Sequence, residues 1–136
     1  MNTTDQDITR EIASTIRQQI TGGVLMSLGA RDFRYGNIAP ANGGEPLPSL
    51  IFNATIRPMT KSGKRGTTPR TMQVTVSLNF MDYYDVRVTY NQRGDKYGFQ
   101  DPVVHFEAKD IDVSTLASLM LSLDYDGDTV TNPRYA

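Results

Sequence analysis

Three stretches of this 136-residue chain alternate apolar and polar side chains with a period of two, and that pattern constrains the fold most. Leu50, Phe52, Ala54 and Ile56 fall on one side, with Asn53, Thr55 and Arg57 on the other. Met72, Val74, Val76 and Leu78 oppose Thr71, Gln73, Thr75 and Ser77 in the same way. Tyr84, Val86, Val88 and Tyr90 oppose Tyr83, Asp85, Arg87 and Thr89. Successive side chains of a strand point to opposite faces, so each stretch reads as a strand with one dry face and one wet face. Strands are expected over 49–57, 71–79 and 83–90. The short connection Asn79 to Asp82 joins the last two as an antiparallel hairpin. Pro102 to Ala108 supplies a further strand over 102–108, after a turn at Asn91 to Asp95.

Helical signals flank the strands. Ile8, Ile12, Ile16 and Ile20 recur every four residues beside Ala13, predicting a helix over 5–21 capped by Thr4 or Asp5 and stopped by Gly22-Gly23. Leu116, Leu119, Met120 and Leu123 predict a second helix over 111–123, capped by Asp110 or Asp112. Val24 to Ala30 is a short apolar run that reads as a strand over 24–30, with a second short helix as the alternative. Residues 36–48, with three Gly and three Pro, read as a loop, and 129–136 as a poorly ordered tail. The expected fold class is therefore α+β: an antiparallel sheet of four or five strands with both helices on one face. A chain this long makes one domain, 1–136, and buries roughly two-thirds of its unfolded surface.

Composition removes several functions. Fourteen basic and fifteen acidic residues give a net charge of −1, which argues against a DNA mimic and against a uniformly basic DNA coat. The absence of Cys excludes disulfide scaffolds, thiolate zinc sites and Cys nucleophiles. A single His, His105, excludes a multi-His metal site and most Ser–His machinery. No apolar run approaches the ~18 residues of a membrane span. The polar, mixed-charge start reads as neither signal nor transit peptide, so a reducing cytoplasm is expected.

Charge is unevenly placed. Segment 57–70 carries Arg57, Lys61, Lys64, Arg65 and Arg70 and no acid, a charge of +5, which leaves −6 on the remainder. Residues 101–128 hold seven acids against Lys109 alone. Pro58, Gly63, Gly66 and Pro69 put the basic cluster on an excursion between two strands, where it could follow phosphates or meet an acidic protein. A solvated loop is the plainer reading.

Other motifs fail on inspection. Gly63-Lys64 has Pro58 where a phosphate-binding loop needs Gly, and Arg65 where it needs Ser or Thr. Asp124 to Asp128 resembles a calcium loop but has its Gly at position 4 rather than 6, and Tyr135 where the bidentate Glu belongs. His105 reads as a structural histidine that could pair with Glu107. Asp82 and Asp85 face opposite sides or lie in a turn, which sets aside paired-carboxylate chemistry. Tyr83, Tyr84, Tyr90, Tyr97 and Phe99 gather around one hairpin. They read as core, except Tyr83, which opposes the apolar side and could stack on a base.

Two segments carry a resemblance. Thr15 to Ile20, Gly22-Gly23 and Met26 to Phe33 resemble a helix–Gly-Gly–"M-x-G-A-[KR]-[ND]-F" pattern, here one residue longer at Ser27-Leu28-Gly29. Asn79-Phe80-Met81-Asp82-Tyr83-Tyr84-Asp85-Val86 is similar to an N-x-M-D-x-Y-D-V hairpin. Together they resemble a family of small bacteriophage- and plasmid-encoded proteins, over about residues 12–90. The resemblance implies a mobile-element accessory protein in a bacterial cytoplasm and carries over no catalytic residue. Gly29, Phe33, Asn79, Asp82 and Tyr84 are expected to be structural.

The expectation is then a non-enzymatic accessory protein that binds a protein or nucleoprotein, without cofactor, metal or membrane; inhibition of a host defence complex would be one such role. Its candidate contacts are Arg57, Lys61, Lys64, Arg65, Arg70 and Tyr83. Direct nucleic-acid binding through 57–70 is the alternative, and an enzyme using Asp, Glu, Lys or Tyr a third reading.

Overall fold

In the computed structural model, which describes residues 3–40, 43–58, 68–91, 102–123, 125–126 and 129–130, the chain opens with α1 (Thr3–Ile20) and α2 (Gly22–Ser27). Five strands follow: β1 (Arg31–Ile38), β2 (Leu47–Ile56), β3 (Arg70–Leu78), β4 (Tyr84–Tyr90) and β5 (Val103–Ile111). Then come α3 (Val113–Ser122) and a small ribbon, β6 (Tyr125–Asp126) with β7 (Thr129–Val130). The sheet is antiparallel throughout and its order is β1-β2-β3-β4-β5, each strand beside its neighbours in the chain. The α+β class, the five antiparallel strands and the two terminal helices are as the sequence leads one to expect.

One face of the sheet carries the core. Phe52, Val74, Val88 and Phe106 line up across β2 to β5 by register, and the first three are fully buried. Ala13, Ile16 and Ile20 of α1, Leu25 of α2, and Leu116 and Met120 of α3 join the same cluster. Burying each large apolar side chain contributes about 1.5–3 kcal/mol, so this side dominates stability.

The hairpin between β3 and β4 is built around Asn79. Its side-chain Oδ1 accepts from the backbone N–H of Met81 (2.9 Å) and of Tyr83 (3.1 Å). Its Nδ2 donates to Asp85 (3.0 Å) and to Asp110 on β5 (2.8 Å). Both lone pairs and both N–H donors of the amide are thereby used. Asp82 takes φ +61°, a left-handed conformation that Asp tolerates better than most residues.

Several expectations need correction. Residues 24–30 are not a strand: Gly22–Ser27 is helical, and Thr21, at φ 81°, breaks α1 and caps α2 by accepting from the Val24 N–H. Gly22 and Gly23 therefore begin a helix rather than stop one. Gly29 then turns the chain at φ +62°, with the site of a Cβ only 3.4 Å from the Thr55 hydroxyl. Residues 31–38, partly assigned to the 36–48 loop, form edge strand β1. A register shift between Arg31 and Arg34 hides its alternation.

The isoleucine stripe also drifts. Four residues overshoot a helical turn by about 40°, so Ile8 lies about 120° from Ile20. Ile8 is 49% exposed, and Thr9 is buried in its place, donating to Asn37. Thr4 and Asp5 lie within α1, which starts at Thr3. Asp112, not Asp110, caps α3, and β5 runs on to Ile111. Thr129 and Val130 belong to β7 rather than to a tail; 131–136 lie outside the described residues.

Candidate functional site

With the described helices on one side, the opposite face of the sheet carries mostly polar side chains, with Leu47 and Ile51 its buried apolar members on β2. Its positions are the alternate residues of each strand, including Asn53 and Thr55 on β2, Thr71, Gln73 and Thr75 on β3, and Arg87 on β4. Two arginines from β1 tie them together. Arg31 donates to the Gly29 carbonyl (2.9 Å), to Thr55 Oγ1 (3.0 Å) and to Thr71 Oγ1 (2.8 Å), so it reaches over β2 to β3. Arg34 donates to the Asp32 carbonyl (2.7 Å) and to Gln73 Oε1 (2.7 Å), while Asn53 Nδ2 donates to Asp32 Oδ2 (3.1 Å). Both guanidiniums are thus held in fixed directions by several acceptors each, which lowers the entropy lost when a partner meets them.

Beside this lattice lies a trough of about 510 Å³. Ile38 and Leu47 give it an apolar end, Thr75 lies along it, and Asp85, Arg87 and Lys109 bring charge. Arg87 and Glu107 are register partners, with Nε and Oε2 3.8 Å apart. That is too long for a hydrogen bond, and Nε is buried without an acceptor. At the trough's apolar end the Ser49 and Ser77 hydroxyls, both buried, bond to each other. The described face mixes both signs of charge and carries no aromatic ring among the side chains of β2, β3 and β4 that point to it.

The residues singled out from sequence do not gather here. Lys61, Lys64 and Arg65 lie outside the described residues, as do Tyr97 and Phe99. Arg57 follows β2 and is half-buried. Arg70 opens β3, stacks over the Tyr90 ring (4.4 Å to its centre) and donates to the Asn91 carbonyl (3.2 Å). Tyr83 is 41% exposed but precedes β4 at the other end of the sheet. A nine-residue strand separates it from Arg70, roughly 27 Å at the rise of extended chain.

The other candidates have these neighbours. His105 is half-buried, its ring centre 6.5 Å from that of Tyr90, and Glu107 turns to Arg87. Asp85 accepts from Asn79 and from the Asp110 N–H (3.1 Å). Asp112 accepts from Ser114 Oγ (2.7 Å), Thr115 Oγ1 (2.8 Å) and Thr115 N (3.0 Å); these bonds, the Ser114 hydroxyl first, hold its carboxyl below the usual range. Tyr84 donates to Gln19, and burial pushes its phenol above the usual value despite that bond. No group of three or more metal-ligating side chains occurs among the described residues, and the Asp124 to Asp128 stretch lies largely outside them.

Arg31, Arg34 and Gln73 were not singled out from sequence. The wet positions of β2 and β3 are visible as alternation, but the two arginines fall between the expected strand 24–30 and the expected loop 36–48, in residues to which the sequence assigns no element. Comparison with protein-family models, with curated proteins and with solved structures finds no match.

Proposed function

We propose that this chain is a binding protein rather than an enzyme, an accessory protein of a phage or plasmid that covers a surface of a host or element-encoded protein or nucleoprotein. Blocking a host defence complex is a role of this kind. The observation that carries the reading is the open sheet face, where Arg31 and Arg34 are fixed beside a trough with apolar and charged ends. A surface already ordered by its own hydrogen bonds loses little freedom on association, and its two signs of charge suit a protein partner better than a polyanion. The resemblance to small phage and plasmid proteins agrees with an accessory role in a bacterial cytoplasm.

The test is capture from a bacterial host lysate, with and without nuclease, by the wild-type chain and by Thr75→Arg, which fills the trough. A protein retained after nuclease treatment and lost with Thr75→Arg supports the reading. Capture indifferent to Thr75→Arg counts against the open face.

Binding to nucleic acid through 57–70 remains the second reading, favoured by that segment's charge of +5. It requires anisotropy-detected affinity that falls with salt, with a log–log slope near −0.9 per phosphate neutralised on duplex DNA. No binding at low salt eliminates it.

A further inference from the structure

The Asn79 turn presents two large apolar side chains to water. Phe80 is 75% exposed and Met81 73%, the two highest exposures among the described large apolar residues. Single exposed apolar residues need no explanation, but here they are adjacent and have company. Tyr83, Ile38 and Val113, at 41%, 39% and 53% exposure, lie at the same end of the sheet. The turn that carries them is rigid. Asn79 N donates to the Tyr83 carbonyl (2.9 Å) and Asp82 N to the Asn79 carbonyl (3.1 Å), in addition to the four bonds of the Asn79 side chain. A left-handed Asp82 completes it. A turn so fully determined serves to aim something, and the residues it aims are the greasy ones.

The charge around this tip has one dominant sign. Asp82, Asp110 and Asp112 are exposed and Asp85 is half-buried beside it, with Lys109 the nearest cation along β5. An acidic collar disfavours nucleic acid and anionic lipid and complements a basic rim. We propose that Phe80 and Met81 form a preorganised anchor that enters an apolar pocket with a basic rim on a protein partner. The proposal rests on the binding-protein reading and names the chemistry of the surface bound. Buried aromatic anchors at the centre of an interface dominate affinity, and a rigid presenting turn removes part of the ordering cost.

The experiment replaces Phe80 by the photo-crosslinker p-benzoylphenylalanine and irradiates the full chain in host lysate. The expected adduct is a protein, crosslinked at apolar residues flanked by Lys or Arg. Phe80→Ser/Met81→Ser should bind that protein at least about thirtyfold more weakly, and salt should weaken the wild-type complex. The exposed double variant should melt as the wild type does, which separates lost binding from lost fold. An adduct to a second copy of this chain, to lipid or to nucleic acid overturns the proposal, as does equal binding by the double variant. Partner capture that persists without any adduct at position 80 overturns the anchor alone; absence of any partner overturns the anchor and the binding reading together.

Discussion

The two faces of the sheet are made of the same strands and obey different rules. On the helix side, Phe52, Val74 and Val88 are fully buried, and what they contribute scales with area removed from water. On the open side, order comes from direction: Arg31 and Arg34 each reach a side chain on β3, and Ser49 and Ser77 close on each other. The first face determines whether the chain folds. The second determines what shape it offers once folded, and it is free to do so because the first already supplies the stability.

Substitutions can break this contrast, beginning on the closed face. Phe52→Ala should destabilise by about 3–5 kcal/mol through lost burial and a residual cavity, read as a fall in urea midpoint at unchanged m-value. A loss comparable to that of an exposed position would mean that the closed face is not the source of stability. On the open face, Ser49→Ala should cost about 1–3 kcal/mol because the Ser77 hydroxyl loses its partner. The double change Ser49→Ala/Ser77→Ala should cost less than the sum of the two singles, as a double-mutant cycle would report. Additive costs would show that the hydroxyl pair carries no coupling.

The smallest effect is expected away from both faces' central strands, at the start of α3. The carboxyl of Asp112 is held low by Ser114 and then Thr115, so its contribution is present above the unfolded carboxylate range and disappears as pH falls through the folded value. Asp112→Asn keeps a capping oxygen and lacks the charge. The wild type should melt slightly higher at neutral pH, and the two melting temperatures should converge in acid. A gap that widens in acid would contradict that assignment.

Legibility in the sequence followed the same division. Strands β2 to β4 could be read because the core face takes nearly all the large apolar side chains, which imposes a period of two on Leu50 to Tyr90. The run Val24 to Ala30 could not, since seven residues are too few to display a helical period and the decisive signal, the Thr21 cap, hides behind a Gly-Gly that looks like a stop. Strand β1 escaped because its bulge shifts the phase between Arg31 and Arg34. The open face was legible only as wetness: alternation says that Gln73 meets water, but not that Arg34 crosses another strand to reach it. The role of Asn79 in the turn was expected, whereas its bond to Asp110 depends on β5 lying beside β4 and has no local signature.

A sheet in which every strand pairs with the next one along the chain has a topological consequence. Each connection closes a gap between neighbours, and the entropy of closing it grows only with the logarithm of length, about 0.6 kcal/mol per doubling. The span between Ile56 and Arg70 can therefore lengthen, shorten or exchange its four cations while the β2–β3 pairing keeps its register. Its charge is a variable that selection can adjust independently of the architecture.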